Sequence, residues 1–147
     1  MKIKLTVYII VALLIVGSIG FFISNRNTTL NHINKKWGLE IDKKNDVVYS
    51  LDERGSFGEG IIYLKIELSE DDSFLTDIDF TTKTDDNIDL ETIVNQSLDQ
   101  FHIQVNESVE IDWSMSYSFK IFTDSGSTLY LIYFEQENVL YLIEKIE

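Results

Sequence analysis

From Leu5 to Ile23 (LTVYIIVALLIVGSIGFFI) almost every position is apolar and none is charged. Coiled as an α-helix, this run spans roughly 28 Å, close to the thickness of a bilayer's hydrocarbon core. It has no polar stripe, as a helix packed on a water-soluble core would. Gly17 and Gly20 are unfavourable in a soluble helix but ordinary in a membrane one, and Tyr8 and the Phe21–Phe22 pair lie toward the two ends, where aromatic rings suit the interface. A cleaved signal peptide has a similar basic start, but its apolar region usually covers only about 7–15 residues. Here apolar residues continue past the small-residue site Ser18-Ile19-Gly20, so an uncleaved transmembrane signal-anchor is expected.

The pattern after Ile23 is that of a folded domain. Residues 24–36 are polar and Asn-rich, either a juxtamembrane linker or a short helix capped by Thr28 or Thr29 with Leu30, Ile33 and Trp37 on one face. Asp46–Asp52 and Ile61–Leu68 read as strands joined by a glycine-rich loop. In the second, Ile62, Leu64, Ile66 and Leu68 would be buried, with Tyr63, Lys65 and Glu67 on the wetter face. A short strand is expected near Ile78–Thr81. Between Ile88 and Phe101, the positions of Leu90, Ile93, Val94, Leu98 and Phe101 predict an amphipathic helix.

The last third alternates most clearly. Trp113, Met115, Tyr117, Phe119 and Ile121 take turns with Ser114, Ser116, Ser118 and Lys120, which predicts a half-buried strand over 113–121. Short turns at Asp124–Ser127 and Glu137–Asn138 separate it from strands at Thr128–Phe134 and Val139–Ile146, giving an antiparallel meander. The middle strand is apolar on both faces, so each face needs a cover, and the amphipathic helix can supply one. The expected class is α+β: a transmembrane helix, then a small domain with an antiparallel sheet of about five strands and one amphipathic helix. The divisions are a basic tail (1–4), the anchor (5–23), the linker or short helix (24–36) and an acidic β-rich domain (37–147).

Charge narrows the function. All 25 acidic residues lie at or after Glu40, and with ten basic residues the chain from Ser24 onward carries a formal charge of −15. Without a basic track to displace phosphate counterions, nucleic acid is excluded as a partner. Such a field keeps a small domain soluble and attracts basic proteins. The chain has no cysteine, which removes disulfides, a lipoprotein cysteine, thiol nucleophiles and zinc–thiolate sites. Lys2 and Lys4 stand before the anchor, while Arg26, Lys35 and Lys36 follow it, so the positive-inside rule is nearly balanced. The short N-terminal tail resembles that of a signal-anchor, which places the domain outside the cytoplasm of a single-pass cell-membrane protein.

The order of a strand, GSFGEG, a second strand, an acidic middle and then SYSFKIFTDSGSTLYLIYFEQ resembles a family of small uncharacterised membrane-anchored proteins of Gram-positive bacteria. Its members carry a Gly-Phe-His-Gly-Asp-Gly turn after the first strand and end in a Tyr/Phe-rich hairpin. The likeness covers about half the chain, roughly Asp46–Leu68 and Tyr117–Phe134. Here Phe57 stands at the histidine position and Glu59 at the aspartate position, so a histidine-dependent role of the turn does not carry over. The resemblance implies an envelope-facing location and no particular activity.

Motifs that resemble chemistry mostly dissolve. Gly55, Gly58 and Gly60 suggest a phosphate loop, but a β run follows in place of a helix and there is no Gly-Lys-Ser/Thr. The glycines fit a hairpin loop that needs positive φ. Phe57, Gly58, Glu59 and Gly60 on such a turn are the candidate partner-binding residues. Asp85, Asn87, Asp89 and Glu91 alternate like calcium ligands, yet Leu90 and Gln96 occupy the positions where an EF-hand needs glycine and glutamate. Carboxylates favoured at a helix N-terminus account for them better. Glu70-Asp71-Asp72 and Asp77-Ile78-Asp79 lack a defined ligand geometry, so no metal and no cofactor is expected. His32 and His102 are the only histidines, little material for a nucleophile–base pair.

Two functional classes fit. One is a non-enzymatic binding module at the membrane, contacting a protein through an exposed sheet face and the GSFGEG loop, for instance an immunity-type protein against a basic toxin. The other is an envelope hydrolase working through paired carboxylates. An accessory subunit of a membrane complex is a variant of the first. The absence of a motif favours a protein that is not an enzyme.

Overall fold

Three stretches of the chain, Gly60–Glu67, Ser127–Phe134 and Val139–Ile146, are apolar at both odd and even positions, so neither side of such a strand can be left to water. The computed structural model, which describes residues 8, 11, 28–56, 58–69, 73–82, 89–106 and 109–147, places all three in the middle of one sheet. Helical residues 28–37 form α1. Then come β1 (Asp46–Arg54), β2 (Gly60–Glu67), α2 (Phe74–Asp77), β3 (Thr81–Thr82), α3 (Leu90–Gln100), β4 (Ser118–Asp124), β5 (Ser127–Phe134) and β6 (Val139–Ile146). The strands make a six-stranded sheet in the order β1-β2-β6-β5-β4-β3, every neighbour antiparallel. The meander β4-β5-β6 is as expected, and the β1-β2 hairpin joins its far side through β2 and β6.

Period two sorts the side chains into two cores. Ile62, Leu64 and Ile66 of β2, Leu129 and Leu131 of β5, and Leu140 and Leu142 of β6 point to one face. There Leu30 and Ile33 of α1 and Phe74 of α2 close over them. Ile61, Tyr63, Tyr130, Ile132, Tyr141 and Ile143 point to the other face, covered by Leu90 and Val94 of α3 and by Ile111 and Tyr117. Antiparallel sheets commonly leave one face wet; this one is sandwiched. Burying each large aliphatic side chain is worth about 1.5–3 kcal/mol, so the second cover adds substantially to stability.

Local chemistry ends the elements where they end. Asp89 caps α3, its carboxylate accepting from the Thr92 amide at 3.1 Å and the Thr92 hydroxyl at 2.7 Å. At the other end His102 adopts φ 56°, and the Ile103 amide donates back to the Leu98 carbonyl, a left-handed cap. Gly38, at φ 66°, ends α1 the same way through Leu39 N–H to the Asn34 carbonyl. The β5-β6 turn is tied to the end of β2, because the Asn138 side-chain amide donates to the Leu68 carbonyl at 2.6 Å.

Several expectations are corrected. The sheet has six strands and not about five, counting the two-residue β3 at the end of the stretch where a short strand was expected. Residues 74–77, just before the expected short strand, are helical, and pairing begins only at Thr81. The expected strand over 113–121 starts at Ser118. Upstream, the Asp112 carboxylate captures the Ser114 amide at 3.0 Å and its hydroxyl at 2.6 Å, a local turn that draws the chain off the ladder. Trp113, Met115 and Tyr117 still face the core, so the alternation marked the buried side correctly. Tyr63, expected on a wetter face, is 1% exposed because α3 and the following segment cover it. The open sheet face proposed as a contact surface is therefore absent over β2, β5 and β6.

Among the described residues no helix is long and apolar enough to cross a membrane. The span expected at Leu5–Ile23 lies outside those residues except for Tyr8 and Val11, both helical and exposed, at 72% and 47%.

Gly60 opens β2 at φ 151°, and a Cβ there would lie 2.2 Å from the Glu53 carbonyl oxygen. Gly55, across the same loop, has room for one, with its nearest neighbour at 3.5 Å. Gly60→Ala is expected to lower unfolding free energy by about 1–3 kcal/mol through strain at the hairpin, while Gly55→Ala stays near wild type. Urea denaturation of both variants reads the difference.

Candidate binding site

The loop that joins β1 to β2 begins at Gly55, whose amide donates to the Glu59 carbonyl at 2.8 Å, while the Gly58 amide donates back to the Gly55 carbonyl at 3.0 Å. Gly58 takes φ 86°. Gly58 and Glu59 are exposed at the loop's tip and Gly60 is buried at the start of β2. Phe57, the remaining candidate contact residue, lies outside the described residues. The loop thus displays Glu59 to solvent.

Below this loop, on the α1 side of the sheet, sits a charged group that the sequence reading passed over. Glu144 belongs to β6 and shares its face with Leu140 and Leu142, so period two sends its carboxylate into the core, where it is 0% exposed. A carboxylate there must be paired. Lys36 of α1 supplies the charge at 2.6 Å from Oε1, and the Trp37 indole N–H donates to the same oxygen at 3.0 Å. Lys36 also donates to the Ser127 hydroxyl at 2.7 Å. Glu144 Oε2 has no hydrogen-bond partner among the described residues, and His32 Nε2 stands 3.9 Å from it. Arg54 Nη1 lies 3.3 Å from the same His32 nitrogen. A guanidinium can only donate, so Arg54 is the donor in that contact. Asp52 grips Arg54 with both oxygens, and its hydrogen bonds raise the guanidinium pKa further, with help from the Glu144 charge. The cluster welds α1 to the sheet.

A concave surface is present on the other side. Between the C-terminal half of α3 and the segment leading to Trp113 lies a cleft of about 300 Å³, the lower end of the range for small-ligand sites. Its floor is Tyr63 and Ile111, both buried, and its sides include Leu98 and the half-buried Trp113. The Tyr63 hydroxyl is already committed, donating to the Val109 carbonyl at 2.8 Å. Asp99 on α3 and Glu110 on the facing segment stand exposed at the rim. Trp113 is held edge-to-face against Tyr117, their ring centroids 5.5 Å apart. Tyr63 is likewise edge-on to Tyr49 and Tyr141, at 5.9 and 6.1 Å. Burial raises the Tyr63 phenol far above its ordinary pKa, reinforced by its tyrosine neighbours and by the Glu110 charge.

Among the described residues no group of three or more histidine, cysteine or acidic side chains is placed to hold a metal ion. Glu70-Asp71-Asp72 lies outside those residues. Among the described residues the Asp42 and Asp112 carboxyls move down, through hydrogen bonds from Lys44 and Ser114 respectively. No protein-family model, curated protein or solved structure matches the chain.

The cleft could not be read from the sequence, because Asp99 and Glu110 are brought together only by the docking of α3. Glu144 could have been: it is the one acid in β6, on the same parity as Leu140 and Leu142.

Removing Lys36 strands the Glu144 charge. Lys36→Met is expected to cost about 2–4 kcal/mol of stability, the partial exposure of Lys36 softening the full penalty of a bare buried ion. Lys36→Met with Glu144→Gln should recover most of it, since the amide oxygen still accepts from Trp37; a double mutant no more stable than the single would refute the pairing. Burial also raises the phenols of Tyr117, Tyr130, Tyr133 and Tyr141. The unfolded chain ionises its tyrosines from about pH 10, while the folded chain keeps these neutral, so their contribution is intact below that pH and shrinks as pH rises beyond it. Phenolate absorbance for these residues should therefore appear together with loss of the folded circular dichroism signal.

Proposed function

We propose that the chain is a membrane-anchored, extracytoplasmic binding module whose partner is a basic protein. The observation that carries this reading is the unspent negative charge. Ion pairs between described residues take up Asp42, Asp52, Glu144 and Glu147, a small part of the acidic residues in a chain whose formal charge from Ser24 onward is −15. Charge of one sign left on the surface speeds encounter with a partner of the other and discourages like-charged ones. The two-sided core supports the same reading: it is a scaffold that carries an exposed loop and a cleft.

The membrane half of the proposal rests on the uncharged apolar run Leu5–Ile23. Leu30, a core residue, follows Ile23 by seven positions, so no more than roughly 25 Å of extended chain separates the domain's core from the anchor. The domain then works against the bilayer surface, where an immunity-type protein would intercept a basic toxin. The resemblance to small membrane-anchored proteins of Gram-positive bacteria agrees with that placement.

Protease treatment of intact cells should release the domain, and the full chain should need detergent for extraction. A basic protein should co-purify from membranes at low salt and dissociate as ionic strength rises, because exposed charge pairs are screened. Recovery of the uncleaved chain from the soluble fraction would remove the anchor. Absence of any salt-sensitive partner would remove the binding module.

A further inference from the structure

The cleft beneath α3 combines features that are individually common and together select a ligand. Its floor is apolar and aromatic, and the one hydroxyl there, that of Tyr63, is already bonded to the Val109 carbonyl. The floor therefore suits a flat or apolar group, while the Asn95 amide and the two carboxylates make the rest of the lining polar. Its rim carries Asp99 and Glu110 on opposite walls, neither of them in an ion pair among the described residues. A neutral apolar guest would leave both carboxylates without a counter-charge, and an anionic guest would be repelled. Trp113, held at a fixed angle by Tyr117, adds an indole at the side of the cleft.

We infer that this cleft receives an arginine side chain of the basic partner, its aliphatic stem against Leu98 and Ile111, its guanidinium beside Trp113 and between the carboxylates of Asp99 and Glu110. Arginine fits better than lysine on three counts. Its planar cation stacks on indole, its fork of donors can serve two carboxylates at once, and it sheds water more readily than an ammonium. The enclosed volume of about 300 Å³ has room for one such side chain and not for a folded element. Arginine is also among the side chains that most often anchor protein interfaces when seated in a pocket. This inference rests on the binding-module reading and adds to it the point of contact.

The test uses the full chain in neutral detergent micelles and two probes, N-acetyl-arginine amide and the uncharged N-acetyl-citrulline amide. The arginine derivative should shift the Trp113 indole N–H resonance and the amides of Asp99 and Glu110, and the citrulline derivative should leave them in place. Asp99→Asn with Glu110→Gln should weaken the arginine response about ten-fold or more, since each change removes a charge-assisted hydrogen bond. Glu53→Gln with Glu135→Gln removes as much charge elsewhere and should not. Equal responses to both probes, an unmoved Trp113 resonance, or equal losses in the two double variants would overturn the assignment. Capture of the basic protein separates the two levels of the argument. A partner held equally by wild type and by the Asp99/Glu110 variant removes the cleft and leaves the module, whereas no partner for wild type removes the module itself.

Discussion

Two adjacent strands, β5 and β6, carry apolar side chains on both of their faces, and the architecture follows from the need to keep water off each side. A strand of this kind must lie inside a sheet and beneath two covers. β2 is of the same type and takes the place beside β6, which draws the N-terminal hairpin across to the far side of the C-terminal meander. The covers then differ in kind. One is α1 with the short α2; the other is α3 with the aromatic segment that leads into β4. Each is amphipathic and neither could stand alone in water.

Within the α1-side core the Glu144 carboxylate is the exception, and it specifies how α1 docks. Apolar side chains hold a helix against a sheet without fixing its position along the groove. The contacts of Glu144 with Lys36 and Trp37 define a single register, as buried polar pairs do in other helical assemblies. His32 and Arg54 extend the network outward to the β1-β2 loop.

The α3-side core has a different consequence. Its cover is part helix and part irregular chain, and the two do not close completely. The remaining gap is lined by the same aromatic residues that build the core, with acidic residues left at its edge. A two-sided core, an acidic chain and a cleft with an aromatic floor are the ingredients of a recognition module, and the proposed function uses these three together.

The sequence by itself determined α3 through its helical spacing, and β5 and β6 as short apolar runs bounded by turn residues. It also determined the acid excess and the apolar N-terminal run, both properties of composition. Only the tertiary structure decided the rest. A β-bulge between Val47 and Tyr49 turns Val47 toward α1 and Tyr49 and Leu51 toward α3, a change of face invisible in the residue types. The Asp112 turn stopped a perfectly alternating run from pairing, because a ladder requires a neighbouring strand and a local side-chain bond can outcompete it. Tyr63 became buried, Glu144 found Lys36, and Asp99 came to face Glu110, since burial, pairing and concavity are relations between segments far apart in the chain. Periodicity reports which side of an element avoids water; what lies against that side is settled only when the elements meet.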